Sequence, residues 1–191
     1  MRLILASASI RRAEVLRNAG LHFQILSSAV DETPLPGEAA TALVRRLAEA
    51  KAELVAARAV GPAIVVAADT TIALDGRTLG KPRSSEEVRS MLRQFSGRTH
   101  AVHTGLALVR LPDVERRSAV ETTLVTFSPL TDAEISQYLA TGEPFDKAGA
   151  YAIQGHAGRF IPRIEGDYFN VVGLPLARLY HLLKELRWSE D

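Results

Sequence analysis

Ala63-Ile64-Val65-Val66-Ala67-Ala68-Asp69-Thr70-Thr71 is the stretch that decides the fold class. Its first six residues are apolar without alternation and rich in Val, the pattern of a strand covered on both faces and central in its sheet. A carboxylate and two hydroxyls follow at once. Such a position, at the carboxyl end of a central strand, is where ligands of open α/β sheets gather. Asp69 there either binds a hard cation such as Mg²⁺ or orients and deprotonates a water. The competing reading is a turn-forming Asp, which the two hydroxyls and the central strand make the weaker one.

Outward from this strand, helical and strand patterns alternate. Leu3-Ile4-Leu5 is a short buried strand, and Ser7-Ala8-Ser9 turns into a helix from Arg11 to Ala19 that Gly20 stops. Phe23 to Leu26 reads as a strand. A Pro/Gly loop precedes a long helix, Glu38 to Arg58, with an apolar stripe of Leu43, Leu47, Ala50 and Leu54. Downstream, Thr71–Leu74 and Arg77–Leu79 flank Asp75-Gly76, a hairpin signal. Helices with capping boxes are expected at Ser84–Phe95 (Ser84, Glu87) and Thr131–Thr141 (Thr131, Glu134). Thr99–Leu111 and Glu115–Phe127 alternate and predict an antiparallel pair. A Gly-rich loop from Gly142 to Gly158, a strand from Arg159 to Ile164 and a helix from Pro175 to about Leu186 complete the chain. Helices alternate with strands, yet two long strands pair directly, so the class is α/β with a mixed sheet flanked by helices.

The 191 residues predict a single domain, 1–191. With 23 Lys+Arg against 22 Asp+Glu, bulk attraction to duplex DNA or an anionic membrane is not expected. Arg45-Arg46 and Arg116-Arg117 are the sole support for nucleic-acid binding, and 6% aromatic content gives them little help. Cysteine is absent, which removes disulfides, thiolate catalysis and Cys-type zinc sites. Leu3–Ala8 is too short for a signal-peptide core, and Arg58 and Pro62 interrupt Val55–Ala68, so no membrane partner and a cytoplasmic location are the expectation. Only four of the basic residues are Lys, namely Lys51, Lys81, Lys147 and Lys184.

Three further segments carry candidate chemistry. In Ser7-Ala8-Ser9-Ile10-Arg11-Arg12 two guanidinium groups occupy the positive end of a helix, a cost that an anion among them would remove. Arg12, three and four residues before Val15 and Leu16, lies toward the buried side. Lys51 interrupts the apolar stripe of the long helix; it either snorkels along that face or reaches a phosphate or carboxylate in the site. Glu32 is equally a loop acid or a metal ligand. Gly76-Arg77-Thr78-Leu79-Gly80-Lys81-Pro82 is not a P-loop, having three residues between its glycines and Pro after the Lys, although Lys81 remains a phosphate contact. Within Asp146–Gly155, Gln154 has an amide that can donate to and accept from a base edge, against the reading of a plain surface loop. The five His form no metal set: His100 and His103 point to opposite faces of a strand, and His22 and His181 sit in core-like elements. No Gly-x-Ser-x-Gly elbow or Gly-x-Gly-x-x-Gly fingerprint occurs.

Leu5-Ala6-Ser7-Ala8-Ser9-Ile10-Arg11-Arg12, Val30-Asp31-Glu32, Lys51, Ala67-Ala68-Asp69-Thr70, Gly80-Lys81-Pro82, Phe95-Ser96-Gly97 and Val172-Gly173-Leu174-Pro175, in this order, resemble the Maf family of nucleotide pyrophosphatases. The resemblance implies a fold similar to the inosine-triphosphate pyrophosphatases, two lobes around a cleft. It implies hydrolysis of a nucleoside triphosphate between the α and β phosphates with a divalent metal, Mg or Mn. The family's catalytic acid falls on Asp69. Its phosphate-handling and metal-associated groups fall on Ser7, Arg12, Glu32, Lys51 and Lys81, and its substrate-choice positions on Arg11, Thr70 and Gln154. Asp146-Lys147-Ala148-Gly149 and Ile153-Gln154-Gly155 resemble the branch acting on dTTP and UTP rather than on 7-methyl-GTP. A homodimer is likewise implied. The family's link to cell-division arrest adds a second reading, a nucleotide-binding regulatory module without turnover. One departure is Ile10, where the family usually has Pro; it loosens the first helical turn without removing a charge.

Overall fold

In the computed structural model, which describes residues 1–189, the apolar run and the hairpin strand expected after it form one continuous strand, Ala63–Leu74. The elements in order are β1 (Arg2–Leu5), α1 (Ile10–Asn18), β2 (Phe23–Ile25), α2 (Ala40–Ala56), β3 (Ala63–Leu74), β4 (Arg77–Leu79), α3 (Ser85–Phe95), β5 (Thr99–Leu111), β6 (Glu115–Thr126), α4 (Asp132–Ala140), β7 (Arg163–Glu165), α5 (Tyr168–Val172) and α6 (Leu176–Glu185). Short 3₁₀ turns at Glu143–Asp146, Ala148–Ala150 and His156–Phe160 fill the space between α4 and β7. The strands make one mixed sheet in the order β2-β1-β3-β5-β6-β7, with β4 pairing to β3 beside that path.

Asp69 is therefore mid-strand, not at a strand end as its polar neighbours suggested. The antiparallel ladder of β5 holds the chain extended throughout, from Ala63↔Leu111 to Ala73↔Ala101. The carboxyl-end position belongs instead to the parallel neighbour. On the other edge of β3, β1 stops at Leu5↔Val66 and β4 begins at Ile72↔Leu79. Between them the edge of β3 is left without a strand beside Asp69 and Thr70. The ligand crevice of an open α/β sheet thus lies beyond the end of β1.

The period of two along β3 sends alternate residues to two helical layers. Ala63, Val65 and Ala67 pack with Ile4 and with Ala48, Ala52 and Val55 of α2. Ile64, Val66 and Ala68 pack on the opposite face with Leu3, Leu5, Val15 and Leu16 of α1, and Leu179 and Leu183 of α6. A third core of Val88, Leu92, Phe95, Val102, Phe127, Ile135 and Tyr138 surrounds the far end of β3 under α3 and α4. The first two cores make one lobe and the third makes the other, and β3 and β5 run through both.

Several local readings shift. The buried stripe of α2 is Leu43, Val44, Leu47, Ala48, Lys51, Ala52 and Val55; Leu54 is exposed and Ala50 half-buried, because the helical period carries the stripe from Lys51 to Val55. Thr131 and Glu134 make a full capping box, whereas at Ser84 the Glu87 carboxylate takes the Arg83 N–H and leaves the box half-formed. The strand expected over Arg159–Ile164 is confined to Arg163–Glu165, since residues up to Phe160 close a 3₁₀ turn. His22 and His181 are exposed rather than core-like. Among the described residues no helix is long and apolar enough to cross a membrane.

Candidate active site

Asp69 and Thr70 are consecutive on β3 and so address opposite faces of the sheet. Asp69 continues the face that carries α2, and Lys51 is the polar member of the α2 stripe. Their side chains meet, Lys51 Nζ donating to Asp69 Oδ1 at 2.6 Å. The same ammonium lies 2.5 Å from Glu32 Oε1. Lys51 and Asp69 are 7% and 9% exposed, so the Lys51 stem does not snorkel to solvent; its charge is held inside by carboxylates. Glu32, on the loop after β2, stays largely exposed on its outer side. Burial raises the Glu32 carboxyl, yet the hydrogen bond and charge of Lys51, with Lys81 and Arg12 behind it, hold it below its ordinary value.

Thr70 faces the other layer, where α1 begins. Arg12 spreads its guanidinium over three acceptors: Nε donates to the Gly173 carbonyl at 2.8 Å, and Nη1 and Nη2 donate to Ser7 Oγ and Thr70 Oγ1, both at 3.1 Å. Burial pulls the Arg12 guanidinium below its usual range, with Arg11 adding to this and Asp69 and Glu32 opposing it. A fork oriented by three neutral oxygens keeps its charge uncompensated at contact distance, which suits it to an anion. Ser9 is the N-cap of α1 and makes no side-chain cap bond, and this uncapped helix start, Ser9 to Arg12, lines the cleft.

These groups line one cleft of about 470 Å³. Ser7, Arg11, Arg12, Glu32, Lys51, Asp69, Thr70, Lys81 and Gln154 all contribute to its wall. Every residue singled out from the sequence as a site candidate is thus brought together. Lys81 leaves β4 and is exposed, its loop tied down by the Gly149 N–H to the Gly80 carbonyl at 2.9 Å. Arg11 faces Asp146 at 3.6 Å across the cleft mouth. By contrast, Arg46 pairs with Glu38, Arg116 with Glu53, and Arg117 with Glu115 and Glu185, so three of the four Arg in these clusters are compensated internally.

The donor set fits a hard divalent cation that is completed by substrate. Two carboxylates, Asp69 and Glu32, meet at the Lys51 ammonium, and among the described residues no group of three or more acids or His forms a protein cage. Mg²⁺ is commonly held in that manner, by one or two carboxylates plus phosphate oxygens.

The Maf-like protein family matches residues 2–186. The chain belongs to the Maf family. Curated Maf relatives agree over nearly the whole length: the dTTP/UTP pyrophosphatase of Carboxydothermus hydrogenoformans is 49% identical over 188 residues, covering 97% of this chain and 98% of that one. The dTTP/UTP pyrophosphatase of Pelotomaculum thermopropionicum is 47% identical, covering 98% and 97%. Among solved structures, the Staphylococcus aureus Ham1 protein shares the fold at 14% identity, TM-score 0.50, over 97% of this chain and 99% of that one.

Several residues that shape this Maf cleft were not foreseen from sequence. Thr104 Oγ1 lies 2.9 Å from Thr70 Oγ1 and 3.2 Å from the Asn170 carbonyl. Asn170 is fully buried and donates to the Val102 carbonyl and Thr123 Oγ1 at 3.0 Å each, fastening α5 to β5 and β6. This places the α5 C-cap, Gly173, under Arg12. Gly173 has φ of 116°, a conformation that favours glycine. The Asp167 N-cap was the available signal for α5, but five helical residues carry no readable period.

Proposed function

We propose that the chain is a nucleoside triphosphate pyrophosphatase that hydrolyses dTTP and UTP to the nucleoside monophosphate and pyrophosphate. The observation that carries the reading is the convergence at the open edge of β3. Asp69 with Lys51 and Glu32 lies on one side, and Arg12 with Ser7 and Thr70 on the other. The names of the curated relatives supply the substrate class.

A triphosphate carries about four negative charges near neutral pH, and charge builds further on the leaving pyrophosphate. Arg12, held in a fixed fork, grips phosphate oxygens without reorganising, which is the usual source of the largest catalytic gain. Lys81, on its short tied loop, adds a mobile ammonium to the same polyanion. Lys51 keeps Glu32 ionised and holds the Asp69 carboxylate in the cleft wall by a direct hydrogen bond. Asp69 orients the attacking water and takes its proton. A divalent metal, Mg or Mn, held by Asp69 and Glu32, would supply further neutralisation of the phosphates and a more acidic water. Arg11, Thr70 and Gln154 surround the nucleoside end and select among bases.

A homodimer in the cytoplasm accompanies this reading as a family expectation, and light scattering on the purified chain reads the first part. The regulatory-module alternative is not favoured, because the curated relatives are named as an enzyme. The test is incubation with dTTP or UTP and Mg²⁺ or Mn²⁺ followed by product separation. Monophosphate plus pyrophosphate is expected; diphosphate plus orthophosphate, or no turnover, contradicts the proposal.

A further inference from the structure

We propose that Glu143 is a positioning residue for base recognition: its carboxylate clamps the loop that presents Gln154 to the cleft. This deepens the reading of the cleft as a pyrimidine-nucleotide site and rests on it.

Gln154 is exposed, and its side chain makes no hydrogen bond among the described residues. Its place is therefore set by the backbone on either side. Before it, Tyr151 is buried and its hydroxyl lies 2.7 Å from His100 Nε2. After it, no strand or α-helix takes over, and the chain enters the 3₁₀ turn His156–Phe160. Its first amides are received by Glu143: Oε2 accepts the His156 N–H at 2.8 Å and Oε1 the Ala157 N–H at 3.4 Å. Oε1 also accepts the Tyr138 hydroxyl at 2.8 Å, which fixes the carboxylate to the core of α4.

Gly155 records the tightness of this contact. A Cβ there would lie 2.1 Å from Glu143 Oε2, although the backbone, at φ −107°, is one any residue adopts. Any side chain at this position displaces the Glu143 carboxylate, which passes against the chain. Burial works to raise the Glu143 carboxyl, but the His156 amide, the Tyr138 hydroxyl, the Ala157 amide and Lys147 outweigh it and keep it ionised. An ionised acceptor of several N–H and O–H groups makes strong bonds and holds a loop that has no ladder of its own. The clamp also reaches the cleft mouth. Lys147 Nζ donates to the Glu143 carbonyl at 2.8 Å and to Asp146, which faces Arg11.

The experiment compares the full-length wild type with Glu143→Ala, Glu143→Gln and Gly155→Ala. It measures kcat and KM for dTTP, UTP and CTP, inhibition by inorganic tripolyphosphate, and hydrogen exchange over residues 152–157. Loss of the clamp in Glu143→Ala is expected to raise KM for dTTP and UTP about tenfold with kcat changed less than about threefold. Preference over CTP should narrow, tripolyphosphate inhibition should hold, and exchange over 152–157 should quicken. Gly155→Ala, which displaces the carboxylate without changing charge, should move every readout the same way. Glu143→Gln should fall between, since its carbonyl still accepts from His156. Wild-type KM, selectivity and exchange in both Glu143→Ala and Gly155→Ala overturn the proposal. So does a uniform loss of kcat and tripolyphosphate inhibition, which marks a general structural role. If the wild type turns over neither dTTP nor UTP, the proposed function fails, while the exchange contrast still decides whether Glu143 holds the loop.

Discussion

Lys51 and Asp69 form a buried ion pair, Nζ to Oδ1 at 2.6 Å, between the inner stripe of α2 and the middle of β3. The pair places the acid to which we assign catalysis without leaving its charge uncompensated in the apolar layer. Lys51→Met keeps the aliphatic stem and removes the ammonium, so Asp69 and Glu32 then face each other unpaired. Breaking a buried pair from one side costs about 3 kcal/mol. Urea unfolding should show that loss, and kcat/KM for dTTP should fall on the order of 100-fold. Unchanged stability would contradict the pairing.

Gly105 sets the distance across which that pair forms. It is opposite Asp69 in the β3–β5 register, and a Cβ there would lie 2.1 Å from the Val44 carbonyl of α2. The obstacle is backbone, so Gly105→Ala must lift α2 from the sheet. Overpacking of this kind costs about 1–3 kcal/mol. Thermal unfolding reads the cost, and activity should drop with it because Lys51 moves with α2.

Arg12→Lys separates geometry from charge. The ammonium retains the positive charge but cannot reach the Gly173 carbonyl, Ser7 and Thr70 together, as the guanidinium does. A KM for dTTP raised about tenfold or more, with melting temperature nearly unchanged, is expected. Steady-state kinetics at saturating metal check it.

His100 gives the protein a defined acid sensitivity. Burial depresses its pKa from 6.5 to about 4, among the rings of Phe95, Phe127 and Tyr151. The unfolded chain takes up a proton below 6.5 that the folded chain refuses until about 4. The stability His100 allows is therefore complete above that upper value and is lost as pH falls through the interval, by up to about 3 kcal/mol. Denaturant unfolding at several pH values should show this slope in the wild type and a shallower one in His100→Gln.

Element order was legible because each long element carries its own period: the apolar run of β3, the alternating β5 and β6, the capped α4. The inward lean of Arg12 and the opposed faces of His100 and His103 followed from the same periods. Partnerships between elements were not. Whether Lys51 snorkels or pairs depends on Asp69, 18 residues away on another element. Asp69-Thr70-Thr71 resembled a strand end because polar residues normally leave a sheet. Here Lys51 answers Asp69, Arg12 and Thr104 answer Thr70, and β5 pairs across all three. The clamp of Glu143 on residues 156 and 157 joins two irregular segments, where no period exists to betray a contact.

Asp69→Asn tests the central claim most directly, since it keeps shape and hydrogen-bonding capacity while removing the charge proposed to orient and deprotonate water. Single-turnover hydrolysis of dTTP by this variant, with circular dichroism matching the wild type, should be slower on the order of 10²–10⁴-fold. A wild-type rate would show that the acid between Lys51 and Arg12 is not the one that drives cleavage.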